Sequence, residues 1–353
     1  MGGAIVLARV LADPQAGVSL DGESWNALIA TARAERLLGT LAHRMRGVPT
    51  PGTVTATLAD ARAAAEHGRR AALWEAEMAR RALAPLGCAV VLLKGTAFVA
   101  GGLLAGRGRS IGDLDILVPR GRLDAVEAAL LAHGWEWVKP DAYDDAYYRR
   151  WMHELPPLIH RERDRMIDVH HTILPPTARP APDAAALIGG SILLENGLRI
   201  LSPADMIVHA AAHLIADGDL TGGLRNLWDI DQLCREFEES DPDFCLDVME
   251  QAHVHGLSAE VARALRLAQQ LFGTPLTAYD FPMHVRFDAV PSDRIFCRRL
   301  LARDGWGRGT RPLTRFAFYM RSHWLRMPPM LLARHLWIKW RRQSASSVPI
   351  RSS

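Results

Sequence analysis

Several things are scarce in this sequence, and each shortage narrows the reading. Its 353 residues include four cysteines, Cys88, Cys234, Cys245 and Cys297, with no C-x-x-C spacing among them. They read as reduced, buried thiols rather than a disulfide framework. No apolar run reaches the ~18 uninterrupted residues expected of a membrane span. The start, MGGAIVLARVLADPQ, lacks the basic leader and long apolar stretch of a secretory signal. A cytoplasmic protein is therefore expected. No internal repeat is evident, and low complexity is confined to the final SASSVPIRSS. From Gly305 onward there is no Asp or Glu at all, against ten Lys or Arg. Residues 1–304 then hold 32 basic and 39 acidic residues of the chain's 42 and 39, so a mildly acidic body carries a basic tail.

What is present alternates in character along the chain. Residues 24–47 place Leu28, Ala32, Leu37, Leu38, Leu41 and Met45 at three- and four-residue steps, which predicts a helix. Residues 54–86 predict one long helix, or two joined at Gly68. Then CAVVLLKG (88–95) and DLDILVP (113–119) read as buried strands around a short helix over 95–106. An amphipathic helix over 122–134, a strand from Trp135 and a strand over 166–173 follow. From Ser202-Pro203, an N-cap with proline at the first helical position, the pattern returns to helices. The expected class is α+β, a small mixed sheet flanked by N- and C-terminal helical regions. The expected divisions are 1–86, 87–200, 201–304 and a basic aromatic tail, 305–353.

Within GRGRSIGDLDILVPRG (106–121), Asp113 and Asp115 are two apart. Residues i and i+2 share a strand face, so the two carboxylates are neighbours while Leu114 and Ile116 face the core. Adjacent partly buried carboxylates repel, and either a proton or a cation relieves them. Magnesium takes hard oxygen ligands of this kind together with substrate phosphates. A turn-rich surface use of Asp is the plain alternative. Asp168, in MIDVHH, is a third acid in a core-type strand, and His170 follows it on the same face. Upstream, Lys94, Gly95 and Thr96 form a strand-to-helix turn of the kind that can hold phosphate. Arg107 and Arg109 suit either phosphate or carboxylate. His209 and His213 are four apart on one helix face, which fits packing better than zinc because no third ligand is evident.

Taken in order, Leu93-Lys94-Gly95, then Arg109-Ser110-Ile111-Gly112-Asp113-Leu114-Asp115, then Ile167-Asp168-Val169-His170, resemble the DNA polymerase β-type nucleotidyltransferase superfamily. Within it the chain is similar to an uncharacterised bacterial nucleotidyltransferase family with LKG, R-x-x-x-D-x-D and I-D-x-H motifs. SPADMIVHAAAH and LRNLWDIDQL, with Pro203, Asp205, His213 and Asp229, extend the likeness, which spans roughly 60–235. The resemblance implies a nucleotidyltransferase core over 87–200. It also implies two Mg²⁺ ions on Asp113, Asp115 and Asp168, and an NTP such as ATP as co-substrate. Lys94, Gly95, Thr96, Arg109 and His170 would serve nucleotide binding. A nucleoside monophosphate would pass to an acceptor hydroxyl, with release of pyrophosphate. The superfamily's Gly-Ser at the phosphate turn is replaced here by Lys94-Gly95-Thr96, which leaves a catalytically weak nucleotide-binding or interaction module as the alternative. The tail segment 315–342 interleaves Arg and Lys with Trp and Leu. It suits RNA or an anionic membrane surface, or else packing of its apolar side chains on the body.

Overall fold

A computed structural model describes residues 2–139, 148–276 and 290–326. The N-terminal region is helical: α1 (Gly3–Ala12), α2 (Gly22–Ala34), α3 (Leu38–Arg44) and the long α4 (Gly52–Leu83). Asp21 caps α2 by accepting the Ser24 amide at 2.8 Å. The helix expected over 24–47 is two helices. The chain leaves α2 through Arg36, in the left-handed region at φ 55°, and the Leu37 amide reaches back to the Ala32 carbonyl at 2.7 Å. That closure is usually built on glycine, so no turn residue announced it. Leu37 becomes fully buried by it. Gly68 does not interrupt α4, which runs unbroken from Gly52 to Leu83; a single glycine lowers helix propensity by only about 1 kcal/mol.

A seven-stranded mixed sheet follows, with β1 (Val91–Leu92), β2 (Asp113–Leu117), β3 (Trp135–Trp137), β4 (Leu158–His160), β5 (Met166–His170), β6 (Ile192–Leu193) and β7 (Arg199–Ile200). The spatial order is β3-β4-β5-β2-β1-β7-β6. The central pair, β2 and β5, runs parallel with Leu114 opposite Ile167 and Ile116 opposite Val169. These four side chains are buried and form one face of the core. Antiparallel β1 and β4 flank the pair. Strands β4, β6 and β7 are only two or three residues long, too short for alternation to reveal them. Helices α5 (Lys94–Ala100) and α6 (Leu123–Ala132) connect the strands, and α7 (Ala184–Gly189) is capped by Asp183.

The C-terminal helices are α8 (Pro203–Ala211), α9 (Gly223–Glu238), α10 (Phe244–Val254), α11 (Ser258–Phe272), α12 (Asp293–Leu300) and α13 (Pro312–Arg326). Ser202 caps α8, as its Ser-Pro start predicts, and α8 continues as a π-helical turn, Ala212–Asp217. Buried apolar side chains form one continuous cluster from Ala4 to Phe318. Polar ties also cross it. Arg225 on α9 donates to the Thr40 hydroxyl of α3 at 2.6 and 2.9 Å, and Arg303 pairs with buried Glu35 at 2.7 Å. Part of the basic tail is therefore visible as α13, and residues 327–353 lie outside the described set. No helix among the described residues is long and apolar enough to cross a membrane. Ile116 is fully buried in the central strand, so Ile116→Ala is expected to cost about 2–5 kcal/mol in urea unfolding. Leu193→Ala, at a 60% exposed edge position, is expected to stay within about 0.5 kcal/mol.

Candidate active site

The register between β2 and β5 builds the site. Asp115 lies directly opposite Asp168, and Asp113 is one pleat earlier on the same strand face. The three acids foreseen in the sequence are thus brought to one face. They differ sharply in environment: Asp113 is exposed, Asp115 is 3% exposed and Asp168 is half-buried.

Asp115 is well compensated. Its Oδ1 accepts from Lys94 Nζ at 2.7 Å and lies 3.0 Å from His170 Nε2. Burial would raise its pKa, but Lys94 and His170 outweigh burial and hold the carboxyl below the usual carboxylate range. The reverse balance acts on Lys94. Burial would lower it, while Asp115, helped by Asp113 and Glu154, raises it. Asp168 has no such partner among the described residues. Burial first, then the charges of Asp115 and Glu154, push it up to about 7, against a smaller opposing pull from His170. One carboxyl in the trio is therefore short of a cation.

The Lys94-Gly95-Thr96 turn is arranged differently from a phosphate loop. Lys94 is the first residue of α5 and sits at φ 49°, a conformation that costs of order 1–3 kcal/mol in a non-glycine residue and that surrounding contacts must hold. Thr96 is 1% exposed, so its hydroxyl is withdrawn from the cleft. Gly95 makes room for an arginine: a Cβ there would lie 2.4 Å from Arg109 Nε. Arg109 does not pair with Asp113 or Asp115. Its guanidinium lies over Phe98, 5.4 Å from the ring centre, and donates from Nη1 to Asp229 Oδ2 on α9. Arg225, one turn before Asp229, places Nε 3.6 Å from Asp229 Oδ1. Burial, opposed by Asp229 and reinforced by Arg109, brings Arg225 down to about 10. Arg109 Nε, Arg225 Nε and Asp229 Oδ1 are buried with no hydrogen-bond partner among the described residues.

A cleft of about 420 Å³ opens at Asp113 and Asp115 and is lined by Lys94, Gly95, Arg109 and Arg225. Arg36, with its left-handed backbone, also lines it, as does His213. A cationic wall thus faces an acidic floor. Two cavities of similar size, about 450 and 420 Å³, lie beside α4 and contain none of the three acids. The chemistry points to the first cleft. Asp168 adjoins it through the sheet rather than lining it.

Two residues near the site escaped sequence reasoning. His153 and Glu154 lie in an aromatic segment without periodicity, yet Glu154 forms a β-bridge with His170. His153, Glu154 and His170 offer three ligand atoms within 4.8 Å of one another. Burial, then the positive ends of His170 and Lys94, hold His153 well below the usual histidine value. Of the helical pair, His209 is buried and likewise held low by burial, and only His213 reaches the cleft.

Two outcomes follow from these environments. The folded, metal-free chain keeps the Asp168 proton up to about pH 7, whereas the unfolded chain releases it near 3.8. More protons are bound in the folded state between these values, so stability falls as pH rises from about 4 through about 7. Asp168→Asn is expected to remove that fall, read as urea midpoints at about pH 5 and about pH 8 in the presence of a chelator. Asp229→Ala strands two buried guanidiniums and is expected to cost about 3–5 kcal/mol, measured the same way.

Comparison with known proteins identifies the family. No curated protein matches the chain. A family model described as an uncharacterised nucleotidyltransferase matches residues 21–273, a span that contains the acidic trio, Lys94, Arg109 and Asp229. The chain belongs to that nucleotidyltransferase family.

Proposed function

We propose that the protein is a Mg²⁺-dependent nucleotidyltransferase that moves a nucleoside monophosphate from an NTP to an acceptor hydroxyl. The observation that carries this reading is the register pairing of Asp115 with Asp168, with Asp113 beside them at a cation-lined cleft. The chemistry of the donors suits divalent ions. The donors are hard carboxylate oxygens, and Asp168 carries a raised pKa that a cation would relieve. Membership of the nucleotidyltransferase family supports the reaction class.

In this reading Asp113 and Asp115 would hold one ion, and Asp168 would help to hold a second. Bound Mg²⁺ would supply neutralisation of phosphate charge on the attacking and leaving sides. The chain's own groups position and move protons. Asp168 takes the acceptor hydroxyl proton, directly or through water; the freed oxygen bonds to the α-phosphorus. The bond from that phosphorus to the α–β bridging oxygen breaks, and pyrophosphate leaves. Lys94, whose Nζ lies 2.7 Å from Asp115 Oδ1, would offer its ammonium to a phosphate oxygen. The Gly95 backbone borders the phosphates, while Thr96 supports the turn from within. Arg36 and Arg225 contribute positive potential. Arg109 acts through its grip on Asp229, holding α9 against the cleft. His170 orients Asp115.

A second reading has its own observations. Lys94 already neutralises Asp115, and Thr96 offers no hydroxyl to the cleft, as in a module that binds nucleotide without turning it over. One experiment separates the two. Labelled NTPs with Mg²⁺ are screened against cell extract, and pyrophosphate release is followed. Label transfer that falls by about 10²-fold or more in Asp113→Ala supports the transferase. Saturable NTP binding with no transfer and no pyrophosphate supports the binding module.

A further inference from the structure

We infer that His153, Glu154 and His170 form a binding site for one borderline divalent cation of the zinc class, distinct from the carboxylate trio and joined to it through His170. The argument starts with the backbone. The Leu155 amide bonds to the Val169 carbonyl and the His171 amide to the His153 carbonyl, both at 2.9 Å. These two bonds clamp residues 153–155 along the end of β5 as a short added strand. Glu154 is thereby set opposite His170, and their side chains share a face.

Side-chain geometry follows from that clamp. Glu154 Oε2 lies 3.4 Å from His170 Nδ1 and 3.9 Å from His153 Nε2. The two imidazoles stack at 5.2 Å between centroids. Tetrahedral ligands at zinc bond lengths stand roughly 3.4 Å apart, so Glu154 already lies at or near ligand spacing from both imidazoles, and the three atoms, all within 4.8 Å of one another, close on a bound ion by small side-chain rotations. Two imidazoles and one carboxylate leave further coordination positions for water or a phosphate oxygen. Imidazole donors favour zinc and its borderline neighbours such as cobalt or nickel over magnesium. His153 Nδ1 is buried with no hydrogen-bond partner among the described residues, so no bond from that nitrogen fixes the ring's orientation.

The outer contact is also in place. With Nδ1 of His170 on the ion, Nε2–H donates to Asp115 Oδ1, at 3.0 Å. A carboxylate behind a ligating histidine fixes its tautomer and raises its basicity. The same Asp115 belongs to the proposed nucleotide site, so ion binding at His170 steadies that carboxylate. The inference does not depend on nucleotidyl transfer, and its test reads metal content rather than turnover.

The full-length protein is stripped with chelator and dialysed against zinc, and the metal is counted by elemental analysis. Cobalt loading is read in parallel by visible absorption. The expected result is one zinc per chain and cobalt bands of nitrogen–oxygen coordination. Affinity is expected to fall at least tenfold in His153→Ala and in Glu154→Gln. The second variant keeps an amide oxygen for His170 and guards against loss by misfolding, which circular dichroism checks. Asp113→Ala, which lowers transfer by about 10²-fold or more in the proposed function, is expected to retain the zinc. His209→Ala is expected to retain it too. No stoichiometric zinc in the wild type would overturn the inference. So would unchanged affinity in Glu154→Gln, or loss of zinc in Asp113→Ala or His209→Ala.

Discussion

The parallel pairing of β2 with β5 is the constraint on which the rest depends. It sets Asp115 against Asp168 and, on the opposite face, Ile116 against Val169. The two faces are one decision. A slip of a single residue would turn the acids into the core and the aliphatic side chains out. Burial of Leu114, Ile116, Ile167 and Val169 therefore fixes the acids' location as firmly as any polar contact does. The site is placed by the hydrophobic side of the same strands.

Burying acids has a cost that the fold meets case by case. Asp115 receives Lys94 and His170; Asp229 receives Arg109 with Arg225 beside it; Glu35 receives Arg303; Asp293 receives Arg263 and Arg266. Several of these pairs join distant parts of the chain, so they also hold the helical regions against the sheet. Asp168 is different, since its neighbours Asp115 and Glu154 add to the burden of burial. An uncompensated acid beside compensated ones is the group a cation would relieve most in the proposed reading. The pairing of Lys94 with Asp115 belongs to the same scheme, because a lysine can yield its place to an ion more readily than a bidentate arginine can.

Family membership brings this chemistry a reaction class, and the local arrangement modifies what the motifs suggest. Gly95 admits the Arg109 side chain, and Thr96 points inward. The cationic character of the cleft comes instead from residues far apart in sequence, Arg36 on the turn after α2 and Arg225 on α9. The excess of positive charge in the tail drew attention in the sequence, yet this cationic wall is made within residues 1–304, where acids outnumber bases.

By itself the sequence determined the local elements and the chemistry-bearing acids. Strand periodicity placed Asp113 and Asp115 on one face, Ser202-Pro203 marked the start of α8, and apolar spacing marked most of the helices. Three things were decided only in three dimensions. The Arg36 turn uses a left-handed residue without glycine, because burial of Leu37 repays the strained backbone. Arg109 chose Asp229 over the nearer acids, because α9 packs against the loop before β2, and no spacing encodes that approach. His153 and Glu154 joined His170 through two backbone hydrogen bonds to a strand edge. Local patterns record which face a side chain takes within its own element. Which charges meet is settled by the packing of elements distant in the chain.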